Sequence, residues 1–285
     1  KVPITTLPDL NDLVGRGVTV SDVRTLSIED LLCRDPVGLD LTPVRVLVRG
    51  QRFLVTGAAG SIGSELCRQI CRVEPAELVL FERSETDLYS LHNGLIELGF
   101  EHLISPVVGD VTDEERLEDV FSRFRPHIVF HTAAYKHVPL MEHNACEAVK
   151  NNVGGTRKLV EVAARHAVGR FILVSTDKAV KPTSVMGATK RVAEQVVFAA
   201  RGGATRFAAV RFGNVLGSRG SVVPRFLEQI RAGGPVTVTH PDMRRYFMLI
   251  PEAVGLVLQA AAMKDESPMY VLDMGEQILV FDLAR

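Results

Sequence analysis

The stretch RFLVTGAAGSIGSE, residues 52–65, decides the fold. A short apolar run, Arg52 to Val55, enters Thr56-Gly57-Ala58-Ala59-Gly60-Ser61-Ile62-Gly63, and a helical pattern begins at once. The spacing is TGxxGxxG. Glycines let a backbone turn tightly and approach a pyrophosphate. The amino end of the following helix, at Ser61 and Ile62, then offers free N–H groups and a positive dipole to that ligand. Nineteen residues past Gly63 a second apolar run, ELVLFE, ends in Glu82, where an acidic residue takes the hydroxyls of an adenosine ribose. A carboxylate there repels a 2′-phosphate and favours NAD over NADP, while the adjacent Arg83 is a group able to accept that phosphate.

Four more β-rich runs follow: HLISPVVGD (102–110), HIVFHTAA (127–134), RFILVST (170–176) and TRFAAVRFG (205–213). About 10 to 25 residues of helical periodicity separate the runs, and apolar runs of this kind suit strands buried on both faces. Strand–helix alternation repeated six times specifies an α/β fold, a Rossmann-type doubly wound parallel sheet with helices on both sides. Beyond residue 214 the alternation loosens into a Gly-rich loop and helices near 224–231 and 251–263. That marks a smaller C-terminal substrate-binding lobe at the carboxyl ends of the strands, where ligands bind in such sheets. The expected organisation is a connector or packing arm over 1–50, with one short helix around Ser27 to Cys33. A nucleotide-binding core with the catalytic residues spans 51–213, and 214–285 is mainly the substrate lobe. Asp110 and Val111 end the third run, where Asp110 either contacts an adenine or caps a helix. Ala133 and Ala134 end the fourth, and their small size lets a cofactor lie close.

The chain has 285 residues, 33 basic and 34 acidic, for a net charge of −1. Its 46% hydrophobic and 24% charged fractions are those of a globular protein. Near-zero charge of mixed sign gives no footprint for nucleic acid or an anionic membrane. The longest apolar candidate, Ala253 to Met263, is broken by Gln259 and falls short of the roughly 18 residues of a membrane span. The sequence begins at Lys1 with no signal-peptide pattern, and its closing ILVFDLAR reads as an element running up to the end, so a piece of a longer protein is expected. Cys67 and Cys71 stand i,i+4 with no second pair or nearby histidine set for zinc. With Cys33 and Cys146 they are expected as buried or half-buried reduced thiols, and the histidines form no metal-ligand set.

The motifs HTAAYKHVPLME, NNVGGT, STDKAVKPTSVMGATKR, VRFGNVLGSRGSVVP and MRRYFMLIPEA follow TGxxGxxG in this order. Together they resemble the extended short-chain dehydrogenase/reductase superfamily. Within it they resemble the UDP-N-acetylglucosamine 4,6-dehydratases of bacterial surface-polysaccharide biosynthesis. The resemblance runs from about residue 52 to the end. The preceding segment is similar to the connector of the large membrane-anchored branch, which implies a parent tethered in the inner membrane with this domain, itself needing no membrane contact, on the cytoplasmic face.

The resemblance implies three steps. Hydride leaves sugar carbon 4 for NAD, water is lost across carbons 5 and 6, and the hydride returns to carbon 6. Ser175-Thr176-Asp177-Lys178 ends the fifth run, and an acid beside an amine is the pair an elimination needs. Lys178, with its pKa lowered by burial, removes the carbon 5 proton; Asp177, kept protonated by burial, donates to the departing hydroxyl; Thr176 bonds the carbon 4 hydroxyl. The superfamily's Tyr-x-x-x-Lys reads Met186-Gly-Ala-Thr-Lys190 here. Spacing i,i+4 places both side chains on one helix face. A thioether accepts no proton at neutral pH, so the carbon 4 base is another group, either Thr176 with a water or Lys190, which also keeps its role at the ribose. Met186 packs against ligand or core. Asn214, Arg219 and Arg245 stand where the family's diphosphate and uridine contacts would be, and Lys136 with His137 lines the sugar pocket or a solvated loop. A homo-oligomer, dimer or higher, is implied through the helix carrying Met186 and Lys190. Two rivals are a UDP-sugar 4-epimerase, which needs no acid–base pair for carbons 5 and 6, and an NAD(P)-sensing protein without catalysis.

Overall fold

A computed structural model describes residues 42–265 and 267–285, with the backbone of Thr5–Thr6 and Arg24–Thr25. The segment Ser27 to Cys33 lies outside the described residues. In chain order the strands are β1 (Thr5–Thr6), β2 (Arg24–Thr25), β3 (Arg52–Thr56), β4 (Glu77–Glu82), β5 (Ile104–Val108), β6 (Ile128–His131), β7 (Arg170–Val174), β8 (Arg206–Arg211), β9 (Asn214–Val215), β10 (Arg244–Met248), β11 (Met269–Val271) and β12 (Gln277–Leu279). The helices are α1 (Thr42–Val48), α2 (Ser61–Cys71), α3 (Glu85–Glu97), α4 (Glu114–Phe124), α5 (Val138–His143), α6 (Ala145–Ala148), α7 (Thr156–Arg165), α8 (Val185–Ala199), α9 (Val222–Arg231), α10 (Ile250–Ala262) and α11 (Val280–Ala284).

All six apolar runs are strands of one sheet, five of them buried on both faces and the edge strand β5 only at Ile104 and Val107. Alternate residues divide between two cores: Phe53, Val55, Leu78 and Leu80 meet α2, α3 and α10, while Leu54, Val79 and Phe81 meet α4, α7 and α8. The order is β11-β8-β7-β6-β3-β4-β5, and every pairing is parallel. Two consecutive strand–helix series therefore run outward from β3, and the sheet reverses its winding between β3 and β6. Helix starts follow local chemistry: Ser84, Asp113 and Ser184 accept the backbone N–H of Asp87, Arg116 and Gly187 as side-chain caps.

The chain after residue 214 divides its loyalties. β9, β10 and β12 form a three-stranded sheet with α9 and α11 around Leu216, Val223, Phe226, Phe247 and Val280. Helix α10 instead packs on the main body, and β11 adds a seventh parallel strand beside β8. Sequence pattern did not mark β11: it is three residues long, at the sheet edge, and none of the three is fully buried. Cys67 and Cys71 are buried, whereas Cys146 is exposed, on the four-residue α6. No helix among the described residues is long and apolar enough to cross a membrane.

Between β6 and α7 the chain passes through a π-helical segment, Val149–Gly155, that buries Asn151 and Asn152. This places Asn152 to accept from Tyr135 N (2.8 Å) and to donate to Tyr135 O (3.0 Å) and Thr189 Oγ1 (3.0 Å). His131, at the end of β6, is clamped between Thr56 Oγ1 (2.7 Å) and Thr156 Oγ1 (2.9 Å). Thr156 spends its proton on the Asn152 carbonyl (2.6 Å), so His131 Nε2 carries the ring proton and Nδ1 accepts from Thr56.

Full burial, with the charge of Lys190 adding to it, pushes His131 down to about 3. The folded protein therefore keeps the ring neutral while the unfolded chain protonates it below its ordinary value of 6.5. Stability from this group is complete above that value and falls as pH drops toward 3. Between pH 7 and pH 5 it removes about 2 kcal/mol from the unfolding free energy. Urea unfolding of wild type and His131→Asn at both pH values checks this: the variant is less stable at pH 7 but has the flatter pH dependence. An equal slope in both proteins contradicts it.

Candidate active site

The site forms where the winding reverses, at the carboxyl ends of β3 and β6. Gly57 has φ 68°, and a Cβ there would lie 2.7 Å from both Cα and N of Ala133. Only glycine lets the loop after β3 lie this close against the chain leaving β6. Thr132 Oγ1 ties the two together, donating to the carbonyls of Thr56 (2.8 Å) and Gly57 (3.1 Å). Gly63 closes the motif, since a Cβ on it would stand 2.2 Å from Gly57 O. Helix α2 thus starts directly on the loop. Its cap position, Gly60, makes no side-chain cap bond, and no acidic residue sits in its first turn.

A cleft in two parts opens over this crossing. The smaller part, about 200 Å³, is lined by Gly57, Gly60, Glu82, Arg83, Asp110, Val111, Ala133 and Ala134, with Tyr135, Asn151 and Arg219. The larger, about 730 Å³, is lined by Gly60, Ser61, Ile62, Gly63, Lys136, Thr176, Lys178, Met186, Lys190, Asn214 and Arg219. The cofactor residues expected from sequence therefore converge on one continuous surface. Glu82 is oriented by three backbone amides, those of Ala59 (3.3 Å), Arg83 (2.9 Å) and Ser84 (3.1 Å). Arg83 stacks on the Tyr135 ring at 4.7 Å and donates to its hydroxyl at 2.6 Å, with Asp110 4.0 Å away. Asp110 accepts from Thr112 N and Oγ1, both at 2.8 Å, while Asp113 caps α4, so the cap belongs to Asp113 and Asp110 faces the cleft. A helix amino end free of acid, a carboxylate at the ribose position and small residues opposite fit a dinucleotide.

The residues after β7 build the second wall. Lys178 Nζ donates to Asp177 Oδ1 (3.0 Å) and Asn214 Oδ1 (2.8 Å), and Thr176 Oγ1 donates to the same Asp177 oxygen (2.9 Å). The Lys178 and Asp177 side chains are 31% and 22% exposed, so they are half-buried rather than sealed from water. Thr176 and Lys178 line the larger part of the cleft; Asp177 does not, and reaches it only through them. Asn214, expected at a diphosphate, is a partner of Lys178. Arg245 lies on β10, gives Nη1 to the Arg244 carbonyl (2.9 Å) and is not among the residues lining the cleft. Arg219 donates to the Ala59 carbonyl and to Asp87 Oδ1 (2.8 Å), across the glycine loop.

Helix α8 brings three side chains to one face. Met186 is buried with Met141 and Ala148 and also touches the cleft. Lys190 is buried and donates to the Val174 carbonyl (2.7 Å); burial lowers its amine to about 8, against the opposing pull of Glu194. Glu194, fully buried, accepts from Ser175 Oγ (2.6 Å) and from Arg211 Nε (2.8 Å) and Nη2 (2.6 Å). This bonds the ends of β7 and β8 to the helix that carries Lys190. Sequence reasoning missed Glu194, Asn152 and Tyr135; the i,i+4 step from Met186 through Lys190 to Glu194 was the available signal. Lys136 also stands at the cleft, where surrounding protein and then the Arg219 charge lower its pKa. A wall carrying Lys136, Lys178, Lys190 and Arg219 suits anionic ligands.

Known proteins share this sequence pattern and fold. The family model described as polysaccharide biosynthesis protein matches residues 53–285. The capsular polysaccharide biosynthesis protein CapD of Staphylococcus aureus is 48% identical over 98% of this chain and 47% of its own length. The chain thus spans about half the length of such relatives. An inverting UDP-N-acetylglucosamine 4,6-dehydratase of Campylobacter jejuni is 32% identical, covering 74% of this chain and 64% of that one. A UDP-glucose 4-epimerase of Rickettsia rickettsii is 33% identical, over 77% and 65%. Among solved structures, a dTDP-glucose 4,6-dehydratase, DesIV of Streptomyces venezuelae with NAD bound, superposes with TM-score 0.73 at 22% identity, over 82% of this chain and 79% of that one, and so shares the fold. With its model match extending over all but the first fifth of the sequence, the chain belongs to the polysaccharide biosynthesis protein family.

Proposed function

We propose that the chain is the catalytic domain of an NAD-dependent sugar-nucleotide 4,6-dehydratase acting on UDP-N-acetylglucosamine. The product is a UDP-4-keto-6-deoxy-N-acetylhexosamine for surface-polysaccharide synthesis. One observation carries the reading: Thr176 and Lys178, on the wall of the cleft that begins at the dinucleotide loop, are both hydrogen-bonded to Asp177 and form an acid–amine unit with it. The bound NAD supplies a hydride acceptor and donor; the protein supplies position and proton transfer. Glu82 takes the adenosine ribose hydroxyls, Gly60 to Gly63 the pyrophosphate, and Lys190 the second ribose.

Lys190 is also the base for the carbon 4 hydroxyl in this reading. A neutral amine keeps one N–H on the Val174 carbonyl and offers its lone pair to the substrate, a task the Met186 thioether does not perform. Lys178 takes the carbon 5 proton, made acidic by the new ketone, and later returns a proton to that carbon. Asp177, bonded to both wall groups, supplies the proton with which the carbon 6 hydroxyl leaves as water. The atoms balance over the cycle: Lys190 gains the carbon 4 hydroxyl proton, Asp177 loses one to the carbon 6 hydroxyl, and passage of the first proton through solvent to Asp177 leaves a net loss of one water. Lys136 holds the UDP diphosphate. The proposal places the domain on the cytoplasmic side, where UDP-sugars are made. It includes a homo-oligomer, for which the exposed Leu140, Val149 and Val192 supply apolar surface.

Incubation with UDP-N-acetylglucosamine in D₂O tests the elimination. The expected product is lighter by one water and carries deuterium at carbon 5. Lys178→Met lowers the rate by about 10²–10⁴-fold. A carbon 4 epimer of unchanged mass supports the epimerase reading instead, and full activity of Lys178→Met removes Lys178 as the base.

The pH dependence tests Lys190. Protonated below about 8, the amine is then unable to act as a base, so kcat/KM rises with pH and levels above that value. Lys190→Arg abolishes that limb together with most of the activity. A wild-type profile flat through pH 8 returns the task to Thr176 with a water.

A further inference from the structure

Arg219 stands on a loop of the small lobe, between β9 and α9, yet every partner of its side chain and backbone amide belongs to the cofactor half. Its N–H donates to Ser61 Oγ (3.2 Å), Nη2 to the Ala59 carbonyl, and Nη1 to Asp87 Oδ1 (2.8 Å) in the first turn of α3. It lines both parts of the cleft and the groove outside them. Gly217 (φ 72°) and Gly220 (φ 69°) flank it in the left-handed region, so a short loop delivers the guanidinium across the glycine motif. The Arg219 and Asp87 side chains are 61% and 45% exposed. An ion pair so open to water contributes little to stability and opens easily. Bonds from another lobe onto the phosphate loop thus have little value as a structural staple.

We propose that Arg219 is a cofactor-holding residue: paired with Asp87 it forms a strap across the glycine loop that must part for the dinucleotide to enter or leave, and its guanidinium bonds the pyrophosphate. Chemistry favours this assignment. A planar guanidinium bonds phosphate oxygens bidentately, and the loop below it is built for a pyrophosphate. Lys136 adds a second positive charge near Arg219, and that charge already helps to lower the Lys136 amine. An anion between them relieves the repulsion. The inference rests on the reading above, in which hydride returns to the product. A cofactor regenerated in each cycle has no need to leave, and a strap slows its loss.

Stopped-flow fluorescence of NADH release, chased with excess NAD and with no sugar nucleotide present, tests the strap. Removing one charge-assisted contact in Arg219→Met raises the release rate by about tenfold or more. Asp87→Asn frees the guanidinium from α3 and raises it by a smaller factor. Added salt speeds release from wild type but not from Arg219→Met. KM for UDP-N-acetylglucosamine stays within about twofold, and the variant's unfolding temperature stays within about 2 °C of wild type. Unchanged NADH release in Arg219→Met overturns the proposal, and a raised KM with unchanged release assigns Arg219 to the sugar nucleotide. Because release is read without sugar nucleotide, a wild-type protein that binds NADH but loses no water sinks the dehydratase reading and not the strap.

Discussion

The site depends on one close approach, that of the Gly57 backbone to Ala133 between the carboxyl ends of β3 and β6. No side chain fits between them. Because the loop lies flat on the neighbouring strand end, Gly63 can start α2 on top of it, and Glu82 can bond the Ala59 amide from the other side. Thr132 and His131 fix the same crossing from below, through Thr56, Gly57 and Thr156. A reversal of sheet winding thus becomes a surface of backbone donors, with a carboxylate at one end and a hydrogen-bonded amine–acid pair at the other.

The second structural requirement is the burial of polar groups behind that surface. Glu194 lies in the core with Arg211 and Ser175, and removing one partner of such a buried pair typically costs about 3–5 kcal/mol. The network bonds α8 to the ends of β7 and β8, so Lys190 and the Thr176–Lys178 segment are held relative to each other. The same burial that stabilises this arrangement brings the Lys190 amine to about 8. A group in that range titrates near neutrality, and in the proposed reading it is the base of a site that lacks the tyrosine.

Legibility in the sequence followed the range of the interactions. The glycine loop and the six main strands are set by local pattern, and the structure forms them where the runs stand. The residues expected to hold the cofactor meet on one cleft because they sit at strand ends in fixed register with the motif. The short strand β11 carries no periodicity and pairs with residues 60 positions earlier, Met269 opposite Ala209, with Pro268 O accepting from Ala209 N. Asn152, Glu194 and Arg219 act through partners 17 to 160 residues away, which no local window reports. Asn214 lines the cleft but accepts from Lys178 through Oδ1, and Arg245 turns to its own backbone, because the small lobe's three-stranded sheet, not its motifs, decides where their side chains go.

The central claim is that one cleft takes a hydride from carbon 4 and gives the same hydride back to carbon 6, with elimination between. UDP-N-acetylglucosamine carrying deuterium at carbon 4 tests it most directly, read by NMR and mass of the product. The account predicts that deuterium appears at carbon 6 of a product lighter by one water, with no net consumption of NAD. Deuterium retained at carbon 4, or lost to the nucleotide pool, contradicts it.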